Sequence, residues 1–212
     1  MLSLPKLNQV ILVIVLAEFI LTTAWAFLAP ITAVFITGQI VGGTVAVVGF
    51  ALTIYWATKS ILQLFVANYI DRNHGEIDDF YFFLLGGFLN ATFVALYYFA
   101  TQVWHIYGLN FLIAIADAML VPPFYAIFTR HVDSGKEGFE WSLYSSFSLG
   151  AGTALGSAIG GLLATVIGFR AVFLLTSVLT FIFTIILFFL RPYLKPKVPS
   201  GTTPLIFERK KI

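Results

Sequence analysis

Apolar residues fall along this chain in long, nearly uninterrupted runs, and most charged positions lie between the runs. The runs show neither the one-sided stripe of a surface helix nor the period-two alternation of a strand. Set against the roughly 20 residues a helix needs to cross a bilayer, they predict six spans, at about 10–36, 43–67, 79–100, 104–128, 141–167 and 170–190. In hydrocarbon only helices and closed barrels satisfy every backbone group, and barrel strands would alternate. Helices are therefore expected throughout, joined by short connections: "TGQIVGG", "TQVW" and "IGFR" at one end, "DRNHGEIDD" and "RHVDSGKEGFE" at the other.

Composition agrees. The 212 residues are 59% apolar, 17% aromatic and only 10% charged, against about 25% charged in a soluble domain, so an all-α integral membrane protein in a lipid bilayer is expected. Cysteine is absent, which removes disulfides, thiol catalysis and thiolate metal sites. The net charge of +2 says little about partners, and no nucleic acid, cofactor or metal is expected.

The placement of charge says more. Ten of the twelve basic residues fall on the side of both termini: Lys6, Arg72, Arg130, Lys136, Arg191, Lys195, Lys197, Arg209, Lys210 and Lys211. Arg170 lies on the other side and Lys59 within a span. The positive-inside rule then puts both termini in the cytoplasm, in the inner (cytoplasmic) membrane, and makes any homodimer parallel. The first apolar run continues past the small residues of "AWA", at 24–26, to Ile36, so a retained span is expected rather than a cleaved leader. Residues 1–191 form the six-helix domain, and 192–212 read as a cytoplasmic tail near the anionic inner leaflet.

Polar groups at depth carry the chemistry. No G-x-S-x-G, no H-E-x-x-H and no intramembrane Ser and His pair occurs, and His74, His105 and His131 sit in loops or at a helix end, so an enzyme is not expected. Burying an ionisable side chain mid-bilayer costs at least ~2.5 kcal/mol, which singles out Asp117 in the middle of the fourth span. Asn110, Phe124 and Tyr125 fall seven or eight residues away, as a polar and aromatic stripe for a solute or a proton. Glu18, with Thr22 and Trp25 on its face, lies nearer the cytoplasmic end of the first span, and Lys59 accompanies Tyr55, Trp56 and Gln63 in the second. Lys59 reads equally as an ion-pair partner, an interfacial anchor or a solute contact, and Asn90 as a helix-packing hydrogen bond. Gly152, Gly156 and Gly160 leave one face of the fifth span without side chains, which asks for a closely packed helix.

Several stretches together resemble the major facilitator superfamily of secondary transporters. "ANYIDRNHG" is similar to the signature G-x-x-x-D-R-x-G-R, with Asp71 and Arg72 in the acidic and basic slots. Ala67 replaces its leading Gly, and Glu76, Asp78 and Asp79 stand where basic residues usually follow. "AIADAMLVPPFYAIFTRHVD" resembles the fourth helix and following loop, "GFRAVFLL" the link from fifth to sixth, and the Gly-rich fifth helix the antiporter motif G-P-x-x-G-G with Ser157 in the Pro slot. Asn110 occupies the position of an arginine associated with proton-linked export.

The resemblance implies one half of a major-facilitator fold: six helices as two inverted three-helix repeats. It implies a transporter of a small organic solute, sugar-like or otherwise polar, working by alternating access as a parallel homodimer that rebuilds twelve helices. Symport with protons and uniport are both open. A heterodimer, a fragment of a longer chain, a multidrug/proton antiporter and a non-transporting scaffold are the alternatives. In the dimer, Glu18, Trp25, Asn110, Asp117 and Tyr125 would surround a central cavity whose paired carboxylates favour a cation. The Gly152, Gly156 and Gly160 face would receive the partner's second helix near Tyr55 and Lys59. Asp71 and Arg72 would form a cytoplasmic gate near Glu140 and Trp141 of the partner, while Asp78 and Asp79 cap the third helix.

Overall fold

The computed structural model describes residues 7–73 and 75–194. Lys6, His74 and residues 195–212, with Lys195, Lys197, Arg209, Lys210 and Lys211 of the charge tally, lie outside the described residues, as does most of the expected tail.

Among the described residues six spans are present, each long and apolar enough to cross a membrane. The first consists of α1 (Gln9–Leu28) and α2 (Thr32–Gln39), the second of α3 (Val45–Asn73). The third is α4 (Glu76–Leu96) with a tight turn at Tyr97–Phe99, and the fourth is α5 (Val103–His131). The fifth joins α6 (Glu137–Leu143), a wide π-helical stretch (Tyr144–Ala151) and α7 (Gly152–Ile167), and the sixth is α8 (Phe169–Leu187), ending in the turn Phe188–Tyr193. The second helix runs on to Asn73 and the fifth span starts at Glu137, because hydropathy marks the apolar part of a helix and not the point where its backbone ladder stops. The first span bends at Pro30, which cannot donate to the ladder, and the Thr32 hydroxyl donates to the Leu28 carbonyl at 2.7 Å to satisfy one group at the break.

The main helix pairs are α3 with α5, α4 with α5, α1 with α7, α1 with α8, and α4 with α8. Exchanging the first three spans for the last three maps this set onto itself. Because each set holds an odd number of spans, the second must start from the opposite side of the bilayer. The pairing thus matches two inverted three-helix repeats.

Two apolar clusters fill the bundle. One, with Phe27, Phe35, Val94, Ile113 and Phe173, lies away from the termini. The other gathers Ile14, Phe83, Leu120, Phe128 and Phe183 towards the end that carries both termini. On α5 they are separated by the turn between Ile113 and Leu120, which holds Asp117.

The glycine face overturns one expectation. A Cβ on Gly156 would stand 2.3 Å from the Thr23 carbonyl oxygen, and one on Gly160 would stand 2.5 Å from the Phe27 Cα, while Gly152 faces Thr22 and Thr23. The helix seated on Gly152, Gly156 and Gly160 is therefore α1 of the same chain, and the face is not free for a second protomer. A glycine groove fixes how near a helix comes and is silent about whose helix it is.

The acidic run after the second span also has an intrachain explanation. α4 begins at Gly75 and Glu76 with no side-chain cap, so Asp78 and Asp79 do not cap it. Asp79 turns instead to Arg130, which donates to its carboxylate, and Glu76 lies 3.7 Å from His131. The acidic first turn of α4 thus meets the basic last turn of the antiparallel α5, with each helix dipole matched by its own charges. At the other end Arg170 donates to the carbonyl of Tyr98 and, at 2.9 Å, to that of Ala100, occupying acceptors left open where the third span ends.

Gly160→Ala should lower stability by about 1–3 kcal/mol, since the new methyl meets backbone that cannot turn away. Gly161→Ala has open space and should be neutral or stabilising by up to about 1 kcal/mol. Thermal unfolding of the purified chain in detergent distinguishes the two, and equal effects would contradict the assigned packing.

Candidate functional site

Asp117 is fixed by residues of two other spans. Gly86 permits the approach of α4: a Cβ there would stand 2.9 Å from both the Ala116 carbonyl oxygen and the Leu120 amide nitrogen on α5. One turn further along α4, Asn90 consequently reaches the carboxylate, its Nδ2 donating to Asp117 Oδ1 at 2.6 Å. From α3 the Tyr55 hydroxyl donates to Asp117 Oδ2. Lys59, one turn along α3 from Tyr55, donates to the Tyr55 oxygen at 3.0 Å and holds its Nζ 3.6 Å from Asp117 Oδ2.

The ammonium also lies 5.3 Å from the ring centre of Tyr55 and 5.2 Å from that of Trp56. Such placement near aromatic rings is attractive. The Lys59 and Asp117 side chains each retain 15% exposure, so the cluster is recessed but reachable. Asn90 is fully buried and its Oδ1 has no protein partner.

Beside the cluster, away from the termini, opens a cavity of about 450 Å³, a size typical of small-molecule sites. Tyr55 and Trp56 form its floor, Trp25, Tyr97 and Phe173 supply further rings, and Thr32 and Asn110 add polar groups. Tyr97 is held against Phe173 by parallel stacking at 4.7 Å, and its oxygen accepts from Asn110 Nδ2 at 2.7 Å. No ionised side chain is among the cavity's lining residues.

Of the expected cavity residues, the structure brings Trp25 and Asn110 to the wall and sets Asp117 just behind Tyr55. Glu18 and Tyr125 are not among the lining residues. Glu18 is buried within α1. Tyr125 is half-exposed and packs on Phe124 and Trp141. The expected stripe on the fourth span thus divides, because Phe124 turns into the apolar core while Tyr125 turns outwards.

Tyr55 and Lys59, expected at a dimer contact, instead belong to the Asp117 cluster. With Lys59 opposite it, Asp117 does not make the cavity strongly anionic, which removes the expectation of a cation-attracting pair of carboxylates. Trp56 and Phe173 are further wall residues; Trp56 was legible as a neighbour of Lys59, whereas Phe173 sits in an apolar run without any local signal.

Asp71 and Arg72 are exposed at the end of α3 and make no hydrogen bond or ion pair with the described residues. Near the start of the fifth span, Glu140 is fully buried and accepts from the Asp133 amide at 3.0 Å, while Trp141 packs on Phe128 at 4.5 Å.

The Major Facilitator Superfamily model matches residues 14–211. No curated protein matches the sequence significantly. Among solved structures, the in meso crystal structure of the POT family transporter PepTSo superposes with a TM-score of 0.69 at 17% identity, covering 94% of this chain and 41% of that chain. The likeness is one of fold, over less than half of the larger protein.

Asn90→Ala should cost about 1.5–3 kcal/mol of stability, the range for a hydrogen bond to a charged group. In an Asp117→Leu background the same change should cost clearly less. Denaturant unfolding of the four proteins measures the coupling, and additive effects would refute the contact.

Proposed function

Because this multi-pass membrane protein belongs to the major facilitator superfamily, we propose that it is a secondary transporter of a small organic solute, with the aromatic cavity as its solute site. The observation that carries the reading is Asp117: a carboxylate held at mid-span by donors from two other helices, directly behind the wall of a cavity of about 450 Å³. A scaffold needs neither. An ionisable group at that depth is a functional group by default, and a protonatable one behind a solute cavity suits proton-coupled alternating access.

The charge bias of the connections puts the termini, and with them Asp71 and Arg72, on the cytoplasmic side. The cavity then lies in the outer half of the bilayer. A parallel homodimer supplies the second half of the rocking pair. The second and fifth spans are the least buried of the six. Trp56, Ile61 and Leu64 on one, with Leu155, Ile159 and Leu162 on the other, are exposed. These outward faces replace the glycine groove as the protomer contact. Asp71 and Arg72 would close against the partner when the cytoplasmic side shuts.

Uptake of a solute panel into proteoliposomes, with and without an inward proton gradient, tests the function. Asp117→Asn should abolish gradient-driven accumulation while leaving exchange of solute across the membrane, and full accumulation by this variant would remove the coupling role. With no native cysteine, single cysteines at Ile61 and Ile159 should cross-link between protomers. A cysteine at Thr32 should react with a water-soluble thiol reagent, whereas an inert one would favour the scaffold.

A further inference from the structure

The hydrogen-bonding capacity left over on the cavity wall defines a class of solute. Polar side-chain atoms come from Trp25, Thr32, Tyr55, Trp56, Tyr97 and Asn110, and none of these residues is ionised. Several are already committed. The Tyr55 hydroxyl donates to Asp117 and accepts from Lys59, and the Thr32 hydroxyl gives its hydrogen to the Leu28 carbonyl. Asn110 Nδ2 spends both of its hydrogens, one on the Tyr97 oxygen at 2.7 Å and one on the Ile106 carbonyl at 2.9 Å. That carbonyl can only accept, which fixes the orientation of the amide. Asn110 Oδ1 then has no partner among the described residues and, unlike Asn90 Oδ1, is not one of the fully buried oxygens left without one. The Tyr97 hydroxyl accepts from Asn110 and keeps its own hydrogen to give. A free acceptor and a free donor thus stand side by side, tied by the bond between their residues, while Trp25 and Trp56 add only indole N–H donors.

We propose that the solute is an uncharged, largely apolar ring compound bearing a hydroxyl or carboxamide, with that group closing on Asn110 and Tyr97 and the ring lying among Trp25, Tyr55 and Trp56. The inference rests on reading the cavity as a solute site and adds the class of solute. A solute hydroxyl donates to Asn110 Oδ1 and accepts from the Tyr97 hydroxyl, and a carboxamide does the same with its N–H and C=O. Charge of either sign is disfavoured. Lys59 and Asp117 stand behind Tyr55, paired with each other at 3.6 Å, and neither lines the cavity. An ion would exchange its hydration for a wall without a counter-charge. Ring faces also attract cations, so an amine belongs in the test. A sugar fits poorly, because nine of the sixteen lining residues are aliphatic and hydroxyls facing them would go unpaired. Five of the others are aromatic, which suits a flat apolar body.

Quenching of tryptophan fluorescence in the full chain, held in lipid nanodiscs at neutral pH, reads binding next to Trp25 and Trp56, and its saturable part separates binding from partition into lipid. All the probes carry a quenching nitrophenyl ring. In 4-nitrobenzyl alcohol and 4-nitrobenzamide it bears the expected group, in 4-nitrotoluene no such group, in 4-nitrobenzoate and 4-nitrobenzylamine a charge, and in 4-nitrophenyl glucoside a sugar. The alcohol or the amide should bind about tenfold or more tightly than either ion. It should also bind about threefold or more tightly than nitrotoluene, as one neutral hydrogen bond provides, and more tightly than the glucoside. Tyr97→Phe, which keeps the ring stacked on Phe173, and Asn110→Leu should each lower the advantage over nitrotoluene. The double variant should erase it and leave nitrotoluene binding unchanged. Should the double variant not fold, the single variants and the order of the probes on the unaltered chain still decide. Tightest binding by an ion, the glucoside or nitrotoluene, or an advantage untouched in both single variants, overturns the assignment. Saturable binding in that case leaves the cavity as a solute site, and only the class is wrong. Saturable quenching by none of the probes overturns the assignment too, and the cavity reading falls with it when solute uptake is also absent.

Discussion

A carboxylate in the middle of a hydrocarbon layer is the constraint around which half of this molecule is arranged. Hydrocarbon offers Asp117 no hydrogen-bond donor, so the protein supplies them, and they stand on other helices. Tyr55 and Lys59 come from α3, and Asn90 from α4. Meeting that demand fixes the rotation and height of two helices against a third. It also explains Gly86, since a side chain at that position would hold α4 too far from α5 for Asn90 to reach. The cavity follows from the same arrangement, because the side of Tyr55 and Trp56 turned away from the cluster becomes its floor.

The contact of α1 with α7 solves the equivalent packing problem by close backbone approach and not by a buried ion pair. The pairing of α1 with α7 corresponds, under exchange of the two sets of three spans, to the pairing of α5 with α3. Where the latter uses a buried carboxylate and its donors, the former uses three glycines that let backbone meet backbone. Dispersion over a long, close contact takes the place of a few strong directed bonds. Only the carboxylate contact leaves chemistry beside a cavity.

What could be read from the sequence divides along the same line. The six spans were legible because the thickness of the bilayer sets the length of an apolar run, and Asp117 was legible because a charge at that depth is costly enough to need a reason. The partners of these groups were not. Glycine spacing in the fifth span announces a neighbour but carries no label for α1. A lysine stem is long enough to reach a headgroup, a second protomer or an adjacent helix, so Lys59 could not be placed until α3 was seen against α5. Glu76 and Asp79 looked out of place beside a motif that usually turns basic; their partners, His131 and Arg130, stand more than fifty residues away in the chain.

The Asp117 cluster and the glycine groove also differ in how they resist motion. Hydrogen bonds to Asp117 are directional, so displacing α3 along α5 by even a fraction of a turn breaks them. The glycine groove holds its register by shape instead, because Gly156 sits on Thr23 and Ala26 and Gly160 on Phe27, at distances that leave no room for a side chain. One contact therefore resists sliding through the direction of its bonds and the other through the fit of its surfaces.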